Sequence, residues 1–474
     1  MRSWRASRSR KNRNRAWAAI SNGSRATSPT ISDGDAANQY TVRGAARARW
    51  GSREGLCMVK RRMLGAVAAV LWVAAGGAGA AQPVPADGNT PRTLAEYLTA
   101  AALRNAGLKA AFEEWKAALE QIPQAKALPD PRFTYEYFIE QIDTRQRVGL
   151  MQMFPWFGTI AARTDAAAAA ANAAQKRYEA QRLQLFFAVK EAFYEYAYLS
   201  SATRIAKENL DLMQHFEEVA RTKYIAAAAM HPDIIRAQIE VARLRNDLVS
   251  LEQQRAPAVA RLNAVLNRPP EAELPWPRPE PDGPMEPDRG RLLALLRDRN
   301  PELQALDHEV ERLQQEVSLA RRRFYPDVGL GLSWMDMNME PGARESDVMI
   351  GVELNIPIWQ RSYRAGELQA RAMARRAGHE RRDLENSLAA RLVRTLYEFE
   401  NSGREVRLYR DVLVPRAQEL VGASETAYMA GTIDFLRLID VQQTLLQFQL
   451  ARERAWTDQQ QRRAELEMLV GADL

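Results

Sequence analysis

Three thioethers at alternate positions, Met335, Met337 and Met339 in the run Met335-Asp336-Met337-Asn338-Met339, form the chain's most suggestive chemical cluster. Thioethers suit soft cations such as Cu(I), and alternate positions lie on one side of a strand. The same residues serve as flexible packing, and the run falls in what reads as a hairpin loop, so both readings stand. The rest of the catalytic inventory is thin. His215, His231, His308 and His379 are scattered, with no HExxH pair. There is no glycine-rich phosphate loop, no GxSxG and no carboxylate pair in a pocket-forming context. The expectation is a protein that is not an enzyme and needs no cofactor. The single cysteine, Cys57, precedes a signal-like segment, so the chain after it has no disulfide, thiolate metal site or cysteine nucleophile.

The formal charge of +7 invites a nucleic-acid reading, but position removes it. Residues 1–57 carry twelve Lys and Arg against Asp33, Asp35 and Glu54, and Lys60, Arg61 and Arg62 add three more. What remains for residues 82–474 is a mildly acidic balance of about −5. Lys60 to Arg62, the apolar run Met63–Ala75 and the small residues Gly76–Ala81 read as a secretory signal peptide over 58–81. Met58 or Met63 is then the expected start, and residues 1–57 a mis-called or disordered basic extension. No later apolar run approaches the ~20 residues of a membrane-spanning helix.

The chain is a duplication. Pro131-Arg132-Phe133 answers Pro326-Asp327-Val328 at an offset of 195, and Phe154-Pro155-Trp156 answers Ile356-Pro357-Ile358 at 202. Tyr194-Glu195-Tyr196 answers Tyr397-Glu398-Phe399 at 203, while Tyr224 and Gln238 answer Tyr428 and Gln442 at 204. The jump between the first two offsets implies a seven-residue, loop-like insertion in the second copy. The first repeat spans 82–267 and the second 291–474, joined by a proline-rich linker over 268–290.

Each repeat has one plan. The first predicts a helix over 94–128, strands over 132–140 and 147–154, a long helix over 157–224 and a helix over 232–267. The second predicts a helix over 291–325, strands over 327–334 and 347–356, a long helix over 358–428 and a helix over 433–470. The strands alternate large apolar or aromatic residues (Phe133, Tyr135, Tyr137; Leu330, Leu332, Trp334) with polar or small ones. That alternation alone fits a lipid-facing sheet or a soluble core. The stretch 158–224 holds no proline, and an unbroken helix of that length is about 100 Å long. Apolar residues from Ile234 through Val241, Leu244, Leu248 and Leu251 recur at coiled-coil spacing and need partner helices.

Two strands per repeat give four per chain, which cannot close a barrel. An open sheet in lipid strands its edge N–H and C=O groups, so protomers must join to close one barrel; three would contribute twelve strands, an even number within the range such barrels use. The fold class expected is mainly α with a small β part: a trimeric 12-stranded outer-membrane β-barrel continued by an α-helical periplasmic barrel. A periplasmic adaptor or coiled-coil scaffold is the alternative.

Tyr428-Met429-Ala430-Gly431-Thr432, followed by Asp440 and Thr444-Leu445, resembles the second periplasmic turn of the outer-membrane efflux duct family typified by TolC. The likeness covers residues 90–472, and Met153-Phe154-Pro155-Trp156-Phe157-Gly158 is similar to that family's heavy-metal branch. The resemblance implies a homotrimer in the outer membrane of a Gram-negative bacterium, contacting outer-membrane lipid and no nucleic acid. It implies helical tips that dock a periplasmic membrane-fusion adaptor, and an inner-membrane pump, of the RND or another type, that supplies the energy. Heavy-metal cations are one implied cargo; drugs or a secreted polypeptide are others. Asp440 matches an acid lining the constricted entrance, whereas Arg437 stands where a second aspartate is usual and Ile433 where a basic gating residue often sits. Tyr428, Met429, Gly431, Phe435 and Leu436, with Met230 and Ile234 in the first copy, become candidates for adaptor docking.

Overall fold

The computed structural model describes residues 91–139, 144–226, 230–278, 283, 287–338 and 344–474, all within one unit spanning Val84–Leu474. The expected signal peptide and the Arg-rich residues before it lie outside the described residues, as do 140–143, 227–229 and 339–343. The first repeat runs α1 (Leu94–Arg104), α2 (Ala106–Lys126), β1 (Arg132–Tyr137), β2 (Thr144–Phe154), α3 (Thr159–Ile225), α4 (His231–Gln253) and α5 (Arg255–Val265). The second runs α6 (Arg289–Arg299), α7 (Pro301–Arg322), β3 (Val328–Asn338), β4 (Arg344–Leu354), α8 (Gln360–Leu408), α9 (Val414–Met429) and α10 (Phe435–Val470).

The predicted opening helices, 94–128 and 291–325, are each two helices. Asn105 and Asn300 interrupt them with extended backbone, ψ 124° and 119°, and their side chains cap the following helix. Asn105 Oδ1 accepts from the Leu108 N–H at 2.9 Å, and Asn300 Oδ1 from Glu302 and Leu303 at 2.9 and 3.0 Å. Each amide also donates to the end of its own repeat's last helix, Asn105 to the Val265 carbonyl at 3.0 Å and Asn300 to Leu469 at 2.9 Å. The duplicated asparagine is therefore a clamp between the first and last helices of each repeat. Asn300 is buried, so Asn300→Ala removes a cap and leaves a carbonyl unpaired. We expect a loss of about 2 kcal/mol, read as a lower thermal midpoint.

The two helices predicted at 232–267 and 358–428 are interrupted as well. Pro257, just inside α5, has no N–H for the carbonyl of Gln253, and α4 ends there. A π-turn, Tyr409–Leu413, separates α8 from α9, because Pro415 removes the N–H that would bond residue 411. A wider turn relieves the clash of the proline ring with that carbonyl. By contrast α3 is one helix of 67 residues, packed along α2, α4, α7 and α10. Its early turns bury Ala162, Ala166, Ala169, Ala171, Ala173 and Ala174, small side chains that let neighbouring helices approach.

The hairpins of both repeats join into one antiparallel sheet of order β1-β2-β3-β4. The insertion expected to be a loop instead lengthens the ladder. β3 and β4 have eleven residues each and pair from Val328↔Leu354 to Asn338↔Arg344, whereas β1 has six. β1 stops at Tyr137, short of the predicted 140, and β4 stops at Leu354, short of 356. Met335 and Met337 accordingly stand in β3, and not in a loop; Met339 lies outside the described residues.

Candidate functional site

The sheet has two chemically opposed faces. In register, Phe133, Leu150, Leu332 and Ile350 form one row; Tyr135, Val148, Trp334 and Val348 form the next. Leu330 and Val352, then Phe154, Val328 and Leu354, continue this face toward the helices. No helix covers it: Ile350 is 79% exposed, Phe133 70% and Val352 66%. An apolar patch of this extent marks a surface made for lipid or a partner. The other face carries Thr134, Glu136, Arg147, Gly149, Ser333, Asp347 and Glu353 with several methionines.

Where the sheet meets the helices, Trp156 stacks on Tyr325 with ring centroids 5.0 Å apart. The Trp156 N–H donates to Asp327 Oδ1 at 2.9 Å, and the Asn355 N–H to the Asp327 carbonyl at 3.3 Å. Asp327 thus fastens the junctions on both sides of β3. Phe157 and Trp359 stand exposed at the same level, a position where aromatic rings suit a membrane interface.

At the opposite end, two hairpin tips are set side by side. α9 ends in a Schellman turn: the Thr432 N–H donates to the Ala427 carbonyl and the Gly431 N–H to Tyr428, each at 3.0 Å. That turn requires Gly431 at φ +76°, which an L side chain rarely adopts. Asp434 then caps α10, its Oδ1 accepting from the Arg437 N–H at 3.0 Å.

The proposed docking residues divide by burial. Met230, Met429 and Leu436 are exposed, Met230 at 74%. Phe435, Tyr428 and Ile234 are not: they are 0%, 4% and 8% exposed, inside a cluster with Phe216, Leu438 and Val421. Their spacing puts them on the α9–α10 and α4 faces that close the tip core, so they cannot touch a partner directly. Burial also pushes the Tyr428 hydroxyl above the usual tyrosine range. Ile225 and Tyr224, exposed at the end of α3, belong with the accessible apolar group.

Lys223 is a tip residue that sequence reasoning missed. Its Nζ donates to the Tyr428 carbonyl and, at 3.2 Å, to Met429, and lies 4.5 Å from the Tyr428 ring centroid. A cation from α3 thereby meets the negative end of α9 and ties the two tips together. The signal was available in the repeat, which sets Lys223 against Ala427, a charge where the other copy has none. His215 Nε2 and Glu425 Oε1, 3.1 Å apart, add a second bridge between α3 and α9. Deeper, Asn209 donates to Gln449 at 2.7 Å and accepts from Gln442 at 3.0 Å, a polar link from α3 to α10.

Asp440 and Arg437 are both exposed on one side of α10, one turn apart, with their charged atoms 4.0 Å from each other. Among the described residues no group of three or more His, Cys, Asp or Glu is placed to hold a metal ion. No described helix is long and apolar enough to cross a membrane.

A duplicated helical hairpin rod carrying a short open sheet, bare and apolar on one face, defines the class of outer-membrane channel proteins with a periplasmic helical barrel. The profile of the outer membrane efflux protein family matches residues 98–268 and 292–472, and the chain belongs to that family. It is 25% identical over 376 residues to the cobalt-zinc-cadmium resistance protein CzcC of Cupriavidus metallidurans, covering 77% of this chain and 86% of that protein. It is 27% identical over 297 residues to the pyoverdine export outer membrane protein OpmQ of Pseudomonas aeruginosa, covering 58% and 60%. Its fold matches the outer-membrane channel OprN with a TM-score of 0.68 at 18% identity, over 80% of this chain and 90% of that one. CusC, a transmembrane channel, gives a TM-score of 0.68 at 15% identity, over 80% and 92%. These relatives are channel and transport proteins, and this chain is an outer-membrane efflux channel.

Proposed function

We propose that three copies close their sheets into one twelve-stranded barrel, and that the trimer is a passive exit duct for metal cations. A periplasmic adaptor and an inner-membrane pump deliver the cargo. The carrying observation is the sheet itself: β1 and β4 are unpaired edges, and one face is apolar and bare. Edges of this kind survive in hydrocarbon only when β4 of one protomer pairs with β1 of the next. Because β1 has six residues, that seam is shorter than the β2–β3 and β3–β4 ladders. Metal cations are favoured as cargo by the likeness to CzcC along most of both chains. The test is fractionation of cells making the protein, followed by crosslinking of the outer membrane. A detergent-requiring species at three times the protomer mass is expected; a monomer in the soluble periplasmic fraction overturns barrel and duct together.

At the entrance we assign Asp440 and Arg437 opposing roles. Three exposed carboxylates around the axis would draw cations, and three guanidinium groups one turn away offset them. The pair itself adds little stability at such exposure. Arg437→Gln should therefore leave folding intact and shift the channel's reversal potential toward cations, and Asp440→Asn toward anions. Identical reversal potentials in both variants would remove these residues from the constriction. At the tips Met230, Met429, Leu436 and Ile225 are the adaptor contacts we favour, with Gly431 shaping the turn and Lys223 holding the two hairpins in register.

A further inference from the structure

On the polar face of the sheet the ladder places one methionine at every level. From the helix end upward the register rows are Met153–Gly329–Glu353, Met151–Gly331–Gly351, Gly149–Ser333–Met349, Arg147–Met335–Asp347 and Thr144–Met337–Glu345. Successive rows are two residues, or about 6.6 Å, apart along the strands. Every position of the opposite, apolar face is free of methionine.

Two observations separate this ladder from ordinary packing. The polar face carries no Leu, Ile, Val or aromatic residue in these strands; the thioethers are its only long apolar side chains. A face built for packing would use aliphatic side chains, as the opposite face does. Glycines, moreover, make the seats. A Cβ on Gly329 would lie 2.8 Å from the Met153 sulfur, and one on Gly331 would lie 3.3 Å from the Met151 methyl. Met151 and Met153 therefore lie along the wall over glycine. Met335 and Met349 are diagonal neighbours across β3 and β4, within reach of long side chains.

Resting on the reading of the chain as a trimeric exit duct, we propose that this ladder is a transit path for soft monovalent cations, Cu(I) or Ag(I). Thioethers are uncharged soft donors that favour such ions over Zn(II), Co(II) or other borderline divalent cations. Trimerisation sets three sulfurs at each of five levels around one lumen. Several equivalent, individually weak sites in series suit conduction, because an ion must bind well enough to enter and loosely enough to leave. Asp347 and Glu353 on the same face add negative charge, while Glu136 is offset by Arg147 at 3.6 Å. The ladder is a larger set than the Met335–Met339 run alone, and it includes two residues, Met151 and Met153, contributed by the other repeat.

The test uses full-length protein, labelled with methyl-¹³C methionine, extracted from the outer membrane and titrated with silver nitrate in chloride-free buffer. Signals of Met151, Met153, Met335, Met337 and Met349, assigned by single Met→Leu variants, should shift at lower silver than those of exposed Met230 and Met429. Zinc nitrate should leave all of them in place. The five-site Met→Leu variant should lose the low-silver response; if it fails to assemble, Met153→Leu and Met335→Leu singly should each weaken it. Ladder signals that move no earlier than those of Met230 and Met429 overturn the proposal while a trimer in the outer membrane leaves the duct reading standing. A soluble monomer removes the duct reading and the ladder's role with it.

Discussion

Leu332→Arg should abolish accumulation of the protein in the outer membrane. Leu332 sits mid-strand in the row Phe133–Leu150–Leu332–Ile350, on the face that no part of the protomer covers. An arginine near the middle of the hydrocarbon layer costs about 2–4 kcal/mol in a β-barrel, and a trimer suffers it three times over. The matched control is Thr134→Arg, one residue along from Phe133 on the polar face, which should be tolerated because that side meets water. Immunoblots of separated membranes should show the Leu332 variant depleted and the Thr134 variant near its normal level. Equal recovery of both would mean that the bare apolar face does not meet lipid.

Phe435→Ala should loosen the whole periplasmic tip. The ring is fully buried at the first turn of α10, 5.3 Å from the Tyr428 ring and among Phe216, Ile234, Val421 and Leu438. Truncation of a buried phenylalanine costs about 3–5 kcal/mol in lost transfer free energy and cavity formation. The tip is joined to the remainder by long helices, so the damage should be local: amide exchange should quicken across residues 414–445 and change little in α1, α2 and α6. Leu436→Ala, at the neighbouring exposed position, should leave exchange unaltered and weaken adaptor binding instead. Should Phe435→Ala leave the tip's exchange unchanged, this core would not be what holds the two hairpins together.

These paired substitutions show where sequence reading stops. Phe435 and Leu436 are adjacent apolar residues after one turn, and their types give no reason to separate them. Only the direction in which α10 leaves its cap at Asp434 turns one inward and the other to solvent. The same holds for Ile234 against Met230. Lys223 illustrates a different gap. A lysine near the end of a long helix reads as a solvated charge, and its contact with the carbonyls of Tyr428 and Met429 is a relation between repeats about two hundred residues apart. The helix breaks at Asn105 and Asn300 had a local signal, since both residues recur at the repeat offset of 195, but the amide clamp to Val265 and Leu469 is tertiary.

By itself the sequence determined the duplication, the order of helices and strands and the length of α3, and its resemblance to a known family pointed to the class of the protein. The first three rest on local chemistry or on spacing: proline stops, period-two alternation and proline-free runs. The tertiary structure decided which apolar residues are core and which are surface. It also decided that the seven-residue insertion extends a ladder rather than a loop, and that the methionines of both repeats line one face at successive levels. Those outcomes depend on register across β2, β3 and β4. A shift of one residue there would send every side chain of a strand to the opposite face, and nothing within a single strand fixes that pairing.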